Sequence, residues 1–123
     1  MELKFTKTHE WIKTDGDTAT VGITDYAQSE LGEIVFVELP EPGSKFAAGD
    51  VLGTIESYKT VSDLVSPVSG EIIQLNSALA DSPQLVNESS LDEGWMVKIK
   101  MDDPTQLDDL LNAEQYESVI KEH

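Results

Sequence analysis

Gly53-Thr54-Ile55-Glu56-Ser57-Tyr58-Lys59-Thr60-Val61-Ser62-Asp63-Leu64-Val65-Ser66-Pro67-Val68-Ser69-Gly70 is the stretch on which the fold turns. In Val51–Glu56, leading into it, apolar side chains stand mainly at odd positions, Gly53 apart, which is the spacing of a half-buried strand. Val61, Leu64, Val65 and Val68 resume an apolar pattern that halts at Pro67 and again at Gly70. Two extended runs meeting at a short polar connection make a β-hairpin, with Lys59 at or beside its tip. The connection holds no glycine-bearing turn pair, so its turn type stays open. A lysine so placed reads in two ways. It is a solvated charge that keeps the tip soluble, or an amine that carries a group through an amide bond. Acylation removes the charge and leaves a long arm on a rigid mount, as group-carrier cofactors such as lipoamide and biotin require.

Composition narrows the classes open to the chain. Its 123 residues suffice for one domain over 1–123, a core over about 4–101 and a C-terminal helical segment over 104–121, without disulfides or metal. With no cysteine, structural disulfides and thiolate chemistry are excluded, and any redox role belongs to something bound or attached. No apolar run is long enough to span a bilayer, and Met1–Phe5 does not resemble a signal or transit peptide; a soluble, cytoplasmic protein is expected. The net charge is −16 and every basic residue is a lysine. Such a chain repels nucleic acid and lacks the arginine forks of phosphate clamps. The acidic surface favours a soluble monomer and steers approach towards basic partner surfaces, although solubility alone accounts for it equally well.

From the N-terminus, His9–Thr14 reads as a strand, Asp15-Gly16-Asp17 as a turn and Thr18–Ile23 as a returning strand. His9 and Glu10 read as surface polar groups, because a lone histidine without further ligands makes a poor metal site. Thr24 or Asp25 caps a helix over Asp25–Leu31, closed by Gly32, with Tyr26, Ala27 and Leu31 as its buried stripe. Glu33–Leu39 is a β-branched and aromatic strand that Pro40 ends. Lys45–Asp50 is a short strand and turn, and Glu71–Asn76 a further strand. Asn76–Ser90 is a loop with helical turns at Ser77–Ala80 and Pro83–Val86. In Gly94–Met101, Trp95, Val97, Ile99 and Met101 point inward and Met96, Lys98 and Lys100 outward. Asp103 and Pro104 open a helical tail, interrupted near Asn112, whose Leu107, Leu110, Leu111, Tyr116, Val119 and Ile120 pack on the sheet. Its acidic face opposes a membrane-surface role. Many short strands joined by brief turns predict a mainly β fold, a flattened antiparallel sandwich or barrel with short peripheral and C-terminal helices.

Glu56-Ser57-Tyr58-Lys59-Thr60-Val61-Ser62-Asp63 followed by Ser66-Pro67-Val68-Ser69-Gly70 closely resembles the lipoylation hairpin of the glycine cleavage system H-protein family. His9-Glu10-Trp11, Val21–Gln28, Leu31-Gly32, Ile34–Pro40 with Gly43, Val86-Asn87, Gly94-Trp95-Met96 and Lys98-Ile99-Lys100 extend the likeness from about Lys4 to Tyr116. Tyr58 and Thr60 depart from it, since the family often has Val and Ala there. The resemblance implies a lipoyl-domain-like barrel-sandwich hybrid with lipoate held covalently on Lys59 as N6-lipoyllysine. A lipoate ligase or lipoyl transferase would attach it, and Glu56, Ser57 and Asp63 would be the recognition residues around the attachment site. The protein would be a non-catalytic carrier. It would take an aminomethyl group from the pyridoxal-phosphate glycine decarboxylase, deliver it to the tetrahydrofolate-dependent aminomethyltransferase, and be reoxidised by the flavin enzyme dihydrolipoamide dehydrogenase. The resemblance also places Glu10 at the edge of a cleft, touching the ammonium of the loaded arm.

Other readings have distinct signatures. Biotin carriers of this fold present Met-Lys-Met, and lipoyl domains of 2-oxoacid dehydrogenases usually carry Asp-Lys on shorter, tethered modules; Tyr58-Lys59-Thr60 fits neither. An H-protein-like lipoyl storage or relay protein would fail to accept the aminomethyl group from glycine. A hydrolase or transferase would need a nucleophile and base that the chain does not display. A plain binding module would never be modified at Lys59.

Overall fold

Short alternating strands bury one face each, and here two antiparallel sheets cover one another. The computed structural model describes residues 2–121; Met1, Glu122 and His123 of the expected 1–123 span lie outside the described residues. The strands are β1 (Glu2–Phe5), β2 (Glu10–Asp15), β3 (Thr18–Ile23), β4 (Ile34–Glu38), β5 (Lys45–Phe46), β6 (Val51–Ser57), β7 (Val61–Val65), β8 (Gly70–Leu75) and β9 (Val97–Met101). The helices are α1 (Asp25–Leu31), α2 (Ala78–Asp81), α3 (Leu85–Glu88) and α4 (Ala113–Lys121), with a 3₁₀ helix at Pro104–Asp109. One sheet runs β1-β2-β3-β9-β8-β5 and the other β4-β6-β7. Between them lie Ile12, Val21, Val97, Ile99 and Ile72 from the first and Ile34, Ile55 and Leu64 from the second. The expected β sandwich with short helices is what forms. Among the described residues no helix is long and apolar enough to cross a membrane.

The predicted hairpin is β6–β7, paired Glu56↔Val61, Ile55↔Ser62 and Thr54↔Asp63. Its first arm departs from strict odd-position burial. A bulge between Val51 and Gly53 shifts the register, so Leu52 is buried while Val51 is exposed. Gly53 is required there, because a Cβ would stand 2.0 Å from the Glu38 carbonyl oxygen.

Helix α1 starts and stops where the capping residues indicate. The Thr24 hydroxyl accepts from the Ala27 amide at 3.2 Å, and Gly32 at the far end donates to the Gln28 carbonyl at 3.0 Å. Ala27 and Leu31 pack on the core, but none of the helix is fully buried, and Tyr26 turns to the His9 ring instead. Met96 is fully buried, against the outward position expected from alternation. Regular pairing of β9 begins only at Val97, and Met96 lies just before it, with its amide donating to Val21 O. Trp95 joins a second apolar cluster built on Phe5, Trp11 and Tyr116.

The tail divides at Leu111, which bridges Phe5 through paired 2.8 Å backbone hydrogen bonds. Before it the Asp103 carboxylate caps the 3₁₀ helix at Thr105 N; after it Asn112 and Gln115 exchange side-chain-to-amide bonds that start α4. Tyr116 then stacks on Phe5 with ring centroids 4.8 Å apart.

Candidate functional site

At the tip of β6–β7 the turn residues are Tyr58 and Lys59. Neither has a positive φ, so the turn is not of the I′ or II′ kind that hairpins favour. Ser57 replaces that geometry with its side chain. Its amide donates to Thr60 O at 2.8 Å. Its hydroxyl accepts from the Lys59 and Thr60 amides at 3.3 and 3.2 Å and donates to Thr60 O at 3.2 Å. A hydroxyl offers one donor and two acceptor sites, and all are spent on the turn. Ser57 is accordingly buried, so what a partner meets of it is the shape it imposes.

Lys59 is exposed, and the end of its alkyl stem lies beside Gly32: Cε is 3.5 Å from where a Cβ on that residue would be. The Tyr58 amide donates to Glu33 O at 3.3 Å, seating the tip on the chain leaving α1. From the other side Asn87 secures this segment. It donates to Gly32 O at 2.8 Å and to the Gln28 side chain at 2.9 Å, and it accepts from Ile34 N at 2.9 Å. Tyr58 is 79% exposed and lines a shallow groove with Glu33, Val35 and Gln84. Glu56 and Asp63 are both exposed, on adjacent strands two rungs apart.

Glu10 is not the surface polar group first expected. It is 1% exposed, drawn inward at the start of β2. Its carboxylate accepts from Thr6 Oγ1 at 2.6 Å, from Thr8 Oγ1, and from Val65 N at 3.4 Å. These donors are neutral. Burial, the largest influence, raises the carboxyl's pKa against the lowering effect of the hydrogen bonds. The Val65 contact places Glu10 at the base of the hairpin whose tip holds Lys59, one strand length away, about 13 Å along β7 at ~3.3 Å per residue.

His9, half-buried, has φ 71°, the single positive value among the described non-glycine residues. Its Nδ1 lies 2.7 Å from the Tyr116 hydroxyl, which also meets Thr24 Oγ1 at 2.6 Å. Burial raises the Tyr116 pKa most; the Thr24 bond lowers it, and Tyr26 and Glu10 raise it further. Beyond this chain of contacts opens a cavity of about 800 Å³ floored by Phe5, Tyr116 and Ile120 and edged by Asp25, Glu114 and Glu117. No group of three or more His, Cys, Asp or Glu side chains among the described residues is placed to hold a metal ion.

Comparison with known proteins shows the family. A family model described as glycine cleavage H-protein matches residues 3–123. The chain belongs to the glycine cleavage H-protein family. It is 55% identical over 121 residues to the glycine cleavage system H protein of Staphylococcus carnosus, covering 98% of this chain and 96% of that one. The corresponding protein of Geobacillus kaustophilus is 53% identical, with 98% and 95% covered. The crystal structure of a glycine cleavage system H protein from Mycobacterium marinum superposes with a TM-score of 0.89 at 36% identity, over 98% of this chain and 97% of that one.

Within this H-protein fold, sequence reasoning placed Lys59 at the hairpin tip, as observed, and singled out Glu10 only through the family resemblance. It missed the supports: Thr6 and Thr8 around Glu10, Gly32 and Asn87 beneath Lys59, and Tyr116 beside His9. Asn87 stood in a matching block, but its role as a clamp on Gly32 carries no local pattern. The threonines lie in a stretch that shows no periodicity.

Proposed function

We propose that this H protein carries lipoate as an amide on Lys59 and serves the glycine cleavage system as a non-catalytic shuttle. The observation that carries the reading is the exposed Lys59 amine at a tip whose backbone Ser57 holds and Glu33 seats. The donor chemistry fits: a primary amine open to solvent, with glycine rather than a side chain beneath its stem. Lys59 would hold the lipoyl group, and its disulfide would supply an acceptor for the aminomethyl group that passes from glycine decarboxylase to aminomethyltransferase, with dihydrolipoamide dehydrogenase as the partner that would reoxidise the dithiol.

The chain's own residues set where that arm goes. Ser57 and Asn87 keep its root fixed, so only the lysine stem and what it bears swing. Glu10 offers a destination for an ammonium. A carboxylate desolvated among neutral donors gains most from a cation brought to it, because its field there is weakly screened. Asp63 lies on the strand that joins the two, and its exposed carboxylate keeps that route favourable for positive charge.

The test is intact mass and peptide mapping after incubation with lipoate, ATP and a lipoate ligase. One lipoyl increment on Lys59, abolished by Lys59→Ala, is expected. No increment under conditions that modify a control carrier would overturn the reading.

A further inference from the structure

We propose that the exposed row Phe36–Glu56–Val61 on the outer face of the three-stranded sheet is the surface gripped by the enzyme that acylates Lys59. The inference rests on Lys59 as the attachment residue and Glu56 as a residue recognised beside it, and goes further by adding the two apolar side chains that flank Glu56 across the sheet.

The three residues are neighbours across the sheet: Phe36 is opposite Glu56, and Glu56 is opposite Val61. Phe36 is 53% and Val61 56% exposed, while Ile55 and Leu64, on the same two hairpin strands, face the core. A single exposed apolar side chain needs no explanation; two flanking one carboxylate in register, on the face beside a modification site, do. The row is the first rung beneath the turn, since Glu56 precedes Ser57 and Val61 follows Thr60. With the turn held by Ser57, the distance from this rung to the root of Lys59 is fixed.

That fixed distance matters for one step above the others. In acylation the neutral Lys59 amine attacks the carbonyl carbon of a lipoyl adenylate. The C–N bond forms, the acyl–phosphate bond breaks, AMP leaves with the electron pair and the amine gives up one proton. The reacting atom is Nζ itself, so the enzyme must locate the lysine against rigid structure. Later steps occur at the far end of a mobile arm, for which a rung at its root measures nothing. Two rungs on, the next to face the same side is Glu38–Thr54–Asp63, so the face is acidic, and no lysine lies in either of these rungs. The complementary surface is therefore an apolar hollow for Phe36 and Val61 with a lysine or arginine opposite Glu56.

The experiment measures steady-state lipoylation of the full chain by a lipoate ligase with ATP and lipoate, for wild type, Phe36→Ser, Val61→Ser and Ile73→Ser. Ile73 is an exposed apolar residue of the other sheet and controls for a general loss of surface apolarity. Thermal melting of each variant controls for folding. The expected result is a KM for the carrier raised about tenfold in Phe36→Ser and Val61→Ser with kcat within about twofold, and Ile73→Ser unchanged. Once acylated by prolonged incubation, both variants are expected to load from glycine at the wild-type rate. A KM within about twofold of wild type, an equal loss in Ile73→Ser, or a defect confined to glycine-dependent loading would each overturn the inference. A wild-type chain that is never acylated would instead remove the reading of Lys59 on which it rests.

Discussion

Under the proposed role, Glu10 ties stability to recognition. Its folded pKa is raised above the ordinary value of 4.5 by burial. A carboxyl so shifted adds stability while protonated, fully below the unfolded value, and that contribution is lost as pH rises through the folded value. At neutral pH the buried charge is therefore a net cost. Glu10→Gln removes the charge, although its amide nitrogen cannot accept from Val65 N as the carboxylate does, and the variant should be more stable than wild type at pH 7, read as a higher melting temperature. The gap should close as the pH is lowered towards 4.5. The same variant should shorten the lifetime of the glycine-loaded carrier, because the ammonium loses its counter-charge. Thermal melts across pH and the decay of loaded carrier check both halves. A variant less stable than wild type at pH 7 would mean that the hydrogen bonds outweigh burial.

At the scale of elements, the position of Lys59 depends on how α1 ends. Gly32 has φ 86° and ψ −157°, a region open essentially to glycine alone. The space is not the constraint, since a Cβ there would meet only the Lys59 stem at 3.5 Å, an ordinary contact. Gly32→Ala should therefore cost about 1–3 kcal/mol through backbone strain, read as a lowered urea midpoint. The strain falls on the segment that Asn87 clamps and Tyr58 donates to, so lipoylation should slow as well. A variant with unchanged midpoint would show that the α1 terminus relaxes freely. The caps of α1 and its limits are legible in sequence because Thr24, Asp25 and Gly32 act within one turn of the helix they bound. The same holds for β3, whose predicted span Thr18–Ile23 is the observed one. β1 was not legible. It exists by pairing with β2, and its last residue is held by Leu111, far along the chain.

For the molecule as a whole, charge is the dominant long-range property. A net charge of −16 spread over 123 residues attracts basic surfaces from beyond contact distance, and added salt screens that attraction. The apparent second-order rate constant for lipoylation should fall several-fold between about 20 and 200 mM NaCl. A rate indifferent to salt would leave the acidic surface to solubility alone.

The amino-acid sequence by itself determined the hairpin, the lysine on its tip, the mainly β class, the caps of α1 and the division of the tail near Asn112. Each rests on residues that interact within a few positions, through alternation, a capping hydroxyl or an obligatory break. Tertiary structure alone decided that Glu10 is buried, that Met96 faces inward, and that Phe36, Glu56 and Val61 share a rung. It also set Lys59 over Gly32. Val65 lies 55 residues beyond Glu10, and Asn87 lies 55 beyond Gly32. Whether a polar side chain is solvated or enclosed depends on which distant segments the two sheets bring against it, and no local pattern records that pairing.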